Sequence, residues 1–259
     1  MRIQYVSDIH LDIRSSFNLE TLGDILILAG DIGQPGKANY KEFLQELGAY
    51  QHVFLISGNH EYYSSGKRKH EIDYDLYKLC KALPNVTYLH MAHAELWPGG
   101  PLILGTTLWS RIQNKAAAQA VMSDYVRIRT GPAGQKKQKI TPDQTNEWHR
   151  QELAWLAGKL AQVRTETPEK PIIVVTHHAP LLAATEAYAT LHPKEGRHCD
   201  DAFATDLEEL IKQQKPDFWI HGHTHCLVDL RVGETHVLCC PVGYPSETGL
   251  STSGGTFDI

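Results

Sequence analysis

Five short apolar runs, each followed within two residues by Asp, Asn or His, constrain this chain more than any other feature. The runs are 2–7 (RIQYVS), 24–29 (DILILA), 52–57 (HVFLIS), 171–176 (PIIVVT) and 217–220 (DFWI). Each is rich in leucine or β-branched residues and is soon closed by a turn residue, the pattern of strands buried on both faces of a sheet. Between them, apolar periodicity predicts amphipathic helices over 40–50, 72–82, 141–163 and 201–213. Thr141 is placed to cap the longest helix, with Pro142 at its first position. Strands alternating with helices mean an α/β architecture.

Other runs read as antiparallel strands. Segments 86–89, 94–97 and 102–105 surround a Gly99-Gly100 turn, and 226–232 and 235–240 flank Gly233-Glu234 as a hairpin. The sheet arrangement is therefore expected to be mixed. Segment 131–139, with three lysines, reads as a solvated loop. No repeat, low-complexity tract or linker divides the 259 residues, so a single domain over 1–259 is expected.

Composition sets outer limits. With 42% hydrophobic and 21% charged residues, the chain can bury a sizeable core. A net charge of −5 does not steer it toward nucleic acid, although a local basic groove would be compatible with that charge. No run approaches the ~18 apolar residues of a membrane span, and the N-terminus has no apolar signal segment. Five cysteines, an odd number without a CxxC pair, do not form a disulfide framework or a zinc finger. A cytoplasmic protein with reduced thiols is expected.

The chemistry lies just past the strands, where ligands bind in open α/β sheets. The first run leads to Asp8-Ile9-His10, the second to Gly30-Asp31, and the third to Gly58-Asn59-His60-Glu61. The fourth leads to His177-His178 and the fifth to His221-Gly222-His223-Thr224-His225. None of these fragments is specific alone, but their succession is. Imidazole, carboxylate and carbonyl oxygen all suit divalent transition metals. Asp8, His10, Asp31, Asn59, His177, His223 and His225 exceed the needs of one tetrahedral zinc and suit a two-metal cluster.

In this order, the motifs DxH, GD, GNHE, a histidine pair before Ala-Pro, and GHTH resemble those of the calcineurin-like metallophosphoesterase superfamily. The resemblance covers Asp8 to His225. It implies a four-layer α/β/β/α sandwich of two mixed sheets flanked by helices. It also implies two divalent or mixed-valence metal ions, such as Mn, Fe or Zn. Asp8, His10 and His225 would hold the first metal, and Asn59, His177 and His223 the second. Asp31 would bridge them, and His178 would support the site from behind. A metal-bridging hydroxide would attack a phosphomonoester or phosphodiester. His60 would donate a proton or contact phosphate.

One departure concerns His60. Relatives often continue Gly-Asp-x-x-Asp, whose second Asp orients that histidine, but here Gln34 stands in its place. The task would fall to Glu61 or another carboxylate. His221 is a candidate brace for the ligand rings. Tyr62 and Tyr63 would pack or line the cleft, and Arg111 and Arg127 could each contact a substrate phosphate but read first as surface ion-pair residues. A small phosphorylated substrate is expected. Two alternatives are a catalytically silent scaffold with this fold and a nuclease acting on DNA or RNA.

Overall fold

The computed structural model of the chain describes residues 1–63, 66–185, 197–247 and 249–259. Its strands are β1 (Arg2–Val6), β2 (Ile25–Ala29), β3 (His52–Ile56), β4 (Val86–Tyr88), β5 (Ala92–Glu95), β6 (Leu102–Thr106), β7 (Arg129–Thr130), β8 (Gln138–Lys139), β9 (Ile172–Thr176), β10 (Phe218–His221), β11 (Val228–Val232), β12 (Thr235–Cys239) and β13 (Gly255–Asp258). The helices are α1 (Ala38–Glu46), α2 (Lys69–Lys81), α3 (Lys115–Val121), α4 (Asp124–Arg127), α5 (Pro142–Glu166) and α6 (Glu208–Gln214).

Two mixed sheets pack face to face, one in the order β13-β1-β2-β3-β4 and the other β11-β12-β10-β9-β6-β5. Side chains alternate across each strand, which explains why the central runs are apolar throughout. From β2, Ile25, Ile27 and Ala29 face the second sheet, where Ile173 and Val175 of β9, Ile220 of β10 and Leu238 of β12 join them. Leu26 and Leu28 face outward into a core shared with Tyr40, Phe43 and Leu44 of α1 and Ile72 and Leu76 of α2. On the far side, Ile172 and Val174 pack with Leu156 and Leu160 of α5 and Ile211 of α6. The expected four layers are present. Each fully buried aliphatic side chain contributes roughly 1.5–3 kcal/mol relative to exposure.

Thr141 caps α5 as its sequence implied. Its hydroxyl accepts from the Gln144 amide at 3.4 Å, and the Gln144 side chain accepts from the Thr141 amide at 3.1 Å. The hairpin of β11 and β12 also forms, antiparallel with Val232 opposite Thr235.

Three expectations need correction. Segment 86–89 does not join an antiparallel array with its successors, because β4 lies parallel to β3 in the first sheet. A three-residue apolar strand does not encode its partner, and the chain crosses to the second sheet through Met91, whose φ is 48°. The helix expected over 201–213 starts only at Glu208. Before it, the Thr205 amide donates to the Ala179 carbonyl at 3.0 Å, a pairing that a helix would forbid. Finally, β13 lies in a Gly/Ser-rich tail that gave no strand signal, yet it pairs with β1 from Arg2–Asp258 to Tyr5–Gly255.

Cys80, Cys239 and Cys240 are buried thiols, and the Cys199 side chain lies outside the described residues. Among the described residues no helix is long and apolar enough to cross a membrane.

Candidate metal centre

Strands β1, β2 and β3 run parallel in one sheet, and β6, β9, β10 and β12 run parallel in the other. The loops after their carboxyl ends therefore meet. Backbone bonds stitch the loops together. The Asp8 amide donates to Gly30 O at 3.0 Å, His10 N to Asp31 O at 2.9 Å, Gly222 N to His177 O at 3.0 Å, and Gly243 N to Asp8 O at 3.0 Å.

All seven predicted metal-binding residues converge and are buried, none more than 6% exposed. Ligand atoms of Asp8, His10 and His225 lie within 4.8 Å of one another, as do those of Asp31, His177 and His223, and those of His10, Asp31 and His60. Asn59 joins the second group, with Oδ1 3.1 Å from His177 Nε2.

The backbone is bent to achieve this. Asp8 (φ 55°), His10 (56°), Asp31 (55°), His223 (70°) and His225 (47°) all adopt the left-handed region. Each such non-glycine residue costs on the order of 1 kcal/mol or more, and such strain gathers where function requires it. The glycines beside the donors have a different role. A Cβ on Gly58 would collide with Asp31 Oδ1, and one on Gly222 would sit 2.8 Å from Asp8 Oδ2. Only glycine lets the loops approach the carboxylates this closely.

Hydrogen bonds fix which atom of each side chain faces the centre. His177 Nδ1 donates to the Ala29 carbonyl at 2.9 Å, leaving Nε2 for the site. His225 Nδ1 donates to Glu247 Oε2 at 2.7 Å, leaving its Nε2 3.0 Å from His10 Nε2. Asn59 Nδ2 donates to Asp124 Oδ1 at 2.9 Å and to the Tyr63 hydroxyl at 3.1 Å, which turns Oδ1 inward. Buried electron-pair donors that face one another at about 3 Å are what a cation satisfies. His223 Nε2 is likewise buried, without a hydrogen-bond partner among the described residues.

The site's charge has the same sense. Burial opposes protonation of His225, yet Asp8 and Glu247 raise it to about 10. Burial likewise opposes that of His177, which Asp31 raises to about 9. Against burial, His177 and His60 hold Asp31 well below the usual carboxylate range. Burial instead holds His10 and His223 below the usual imidazole value, so the carboxylates favour positive charge at His177 and His225 while the other two rings stay neutral.

His60 sits beside these donors. Its amide donates to Asp31 Oδ1 at 2.8 Å, and its ring Nε2 lies 3.9 Å from Asp31 Oδ2 and 3.3 Å from the Tyr244 hydroxyl. Its Nδ1 contacts Asp12 Oδ2 at 2.9 Å. Asp12 thus takes the place that Gln34 could not fill, and Glu61 does not. Gln34 instead donates to the Tyr63 carbonyl at 3.0 Å. The Glu61 carboxylate accepts from the amides of Gly58 (2.7 Å), Ile32 (2.8 Å) and Asp31 (3.0 Å), clamping the GD loop to the GNHE loop. Burial, then the neighbouring Asp31, push Glu61 up to about 8.

A match to the calcineurin-like phosphoesterase family runs over residues 1–227, most of the chain. The chain belongs to the calcineurin-like phosphoesterases. As a member it is a hydrolase, a metal-dependent phosphoesterase. The phosphoesterase is 32% identical over 253 residues to an uncharacterised protein of Acanthamoeba polyphaga mimivirus, covering 87% of this chain and 85% of that one. It is also similar in structure to a phosphopantetheinyl hydrolase from Mycobacterium tuberculosis. The TM-score there is 0.69 at 17% identity, covering 94% of this chain and 89% of the other. A putative 5′-nucleotidase from Staphylococcus aureus matches at TM-score 0.45 and 15% identity, covering 94% and 49%.

Four residues of the phosphoesterase site escaped the sequence reading: Asp12, Asp124, Glu247 and Tyr244. Asp12 alone carried a signal, since it continues the alternation Asp8, His10, Asp12. Among the residues weighed earlier, His178 is buried and packs its ring on His223, with centroids 4.2 Å apart. His221 Nδ1 lies 3.0 Å from the Gly222 carbonyl, so it braces loop backbone rather than a donor ring. Tyr62 turns away to donate to Asp73 at 2.6 Å, whereas Tyr63 donates to Asp124 at 2.6 Å inside the site. Arg111 and Arg127 do not form the expected ion pairs with described residues.

Proposed function

We propose that the phosphoesterase holds two divalent cations, of the Mn, Fe or Zn kind, and hydrolyses a small phosphomonoester or phosphodiester. Asp8, His10 and His225 would hold one cation, Asn59, His177 and His223 the other, and Asp31 would bridge them. The observation that carries this reading is a pair of buried donor groups, Asp8–His10–His225 and Asp31–His177–His223, joined by a third, His10–Asp31–His60, that shares His10 with the one and Asp31 with the other. Seven oxygen and nitrogen donors fit a pair of borderline metals and exceed what one would use. When bound, the cations would supply Lewis acidity toward phosphate oxygens and lower the pKa of a coordinated water.

The chain's own residues do the rest. Asp12 holds His60 by Nδ1, so that Nε2 faces the site and can deliver a proton to the leaving oxygen. The Tyr244 hydroxyl, 3.3 Å from that nitrogen, limits its swing. Glu247 and Ala29 fix the tautomers of His225 and His177. The depth of the donors, with His60 only 7% exposed, favours a small ester.

The test is metal counting by mass spectrometry combined with a hydrolysis screen. Aryl phosphate monoesters, aryl diesters, nucleotides and single-stranded DNA would be compared on metal-loaded protein. Two equivalents of metal, with turnover of a small ester, are expected. Asp31→Ala should lose both metal and activity, and a variant that kept both would overturn the scheme. An inert protein would point to a scaffold, and salt-sensitive DNA cleavage to a nuclease.

A further inference from the structure

We infer that Arg127 forms an anion subsite at the mouth of the metal centre, which binds a second acidic group of the substrate, a phosphate or carboxylate beyond the scissile ester. This rests on the proposed phosphoesterase site and specifies its substrate class.

The Arg127 guanidinium lies over the Tyr63 ring, 5.3 Å from its centroid, and the Tyr63 ring in turn packs on His60 at 4.2 Å. The arginine is therefore two ring contacts from the residue placed at the leaving group. Its position is fixed from below. Three residues earlier on α4, the buried Asp124 accepts from Asn59 at 2.9 Å and from Tyr63 at 2.6 Å. The Arg127 amide closes the turn on Ser123 O at 2.9 Å.

The charge is unspent. Arg68, Arg150 and Arg164 each lie within 4.0 Å of a carboxylate, and Arg14 donates to the Gly243 carbonyl. Among the described residues, no carboxylate lies within that distance of Arg127, which is solvent-exposed in a chain of net charge −5. Resting against the Tyr63 ring, the guanidinium makes no side-chain hydrogen bond to a described residue, so its N–H donors are available to a ligand. That planar fork matches a phosphate or carboxylate in bidentate geometry.

The experiment uses the full metal-loaded chain. Fructose 1,6-bisphosphate and fructose 6-phosphate are compared as competitors of 4-nitrophenyl phosphate hydrolysis, and the readout is the ratio of their inhibition constants. A general loss of activity leaves that ratio in place. The bisphosphate should bind the unaltered protein about tenfold more tightly than the monophosphate. Arg127→Ala should abolish the difference, and Arg127→Lys should retain part of it, keeping the charge without the fork. If the unaltered protein shows no preference, or Arg127→Ala keeps it, the subsite is wrong. If the unaltered protein binds no metal and cleaves no 4-nitrophenyl phosphate, the proposed function fails instead.

Discussion

Removing Asp12 should damage turnover in a way that depends on the leaving group. The Asp12 side chain is 3% exposed, and its Oδ2 lies 2.9 Å from His60 Nδ1. A hydrogen bond to a charged partner contributes about 1.5–3 kcal/mol and a neutral one about 0.5–1.5. Asp12→Asn keeps an acceptor and loses the charge, a difference of about 1–1.5 kcal/mol, or roughly tenfold in rate. Asp12→Ala removes the whole contact and frees the ring, so its loss should reach roughly 10- to 100-fold. The assay is kcat/KM across aryl phosphates whose leaving groups span good to poor. Because the effect acts through proton delivery, it should be largest for poor leaving groups and shrink toward 4-nitrophenolate. Asp12 Oδ1 also lies 3.7 Å from His10 Nδ1, so metal content must be measured alongside. A uniform loss across all leaving groups, or a loss that follows metal content, would refute the assignment of Asp12 as the residue positioning His60.

Further outcomes follow from the same geometry. Asp124→Ala, which removes the acceptor of the Asn59 amide, should let that amide rotate and weaken one cation site about 10- to 100-fold, and Glu247→Ala should do the same at the other through His225; metal titration monitored by mass spectrometry reads both, and two retained equivalents of undiminished affinity would rule them out. His90, which lies outside the metal centre, should make the fold acid-sensitive: burial, then Lys69, push it down to about 4. Its contribution is full above pH 6.5, the ordinary unfolded value, and is lost as pH falls toward 4, by roughly 3 kcal/mol. His90→Gln should flatten chemical-denaturation stability over that window, and an unchanged pH slope would count against it.

Much of this was legible in the primary structure. Runs 24–29 and 171–176 announced strands buried on both faces because only apolar side chains can occupy both sides of a central strand between two cores. The residues that end them could be read as donors because parallel strands place their C-terminal loops together. β4 and β13 were less legible, since a short strand takes its partner from the rest of the sheet. Asp12 was not assigned to His60, although it sits two residues after His10. With φ near +55° at both Asp8 and His10, the chain leaves the strand's alternation, and side-chain direction no longer follows from spacing.

The sequence by itself determined the identity of the donors, the layering of the strands that present them, and the family to which they belong, because periodicity and residue chemistry are local properties. Only the tertiary structure decided which carboxylate braces His60, that Asp124 turns the Asn59 oxygen inward from 65 residues away, and that Arg127 is left without an ion pair. Those relations depend on which loops come to lie against one another when two sheets pack. Contacts between residues far apart in the chain leave no mark on the sequence surrounding either one.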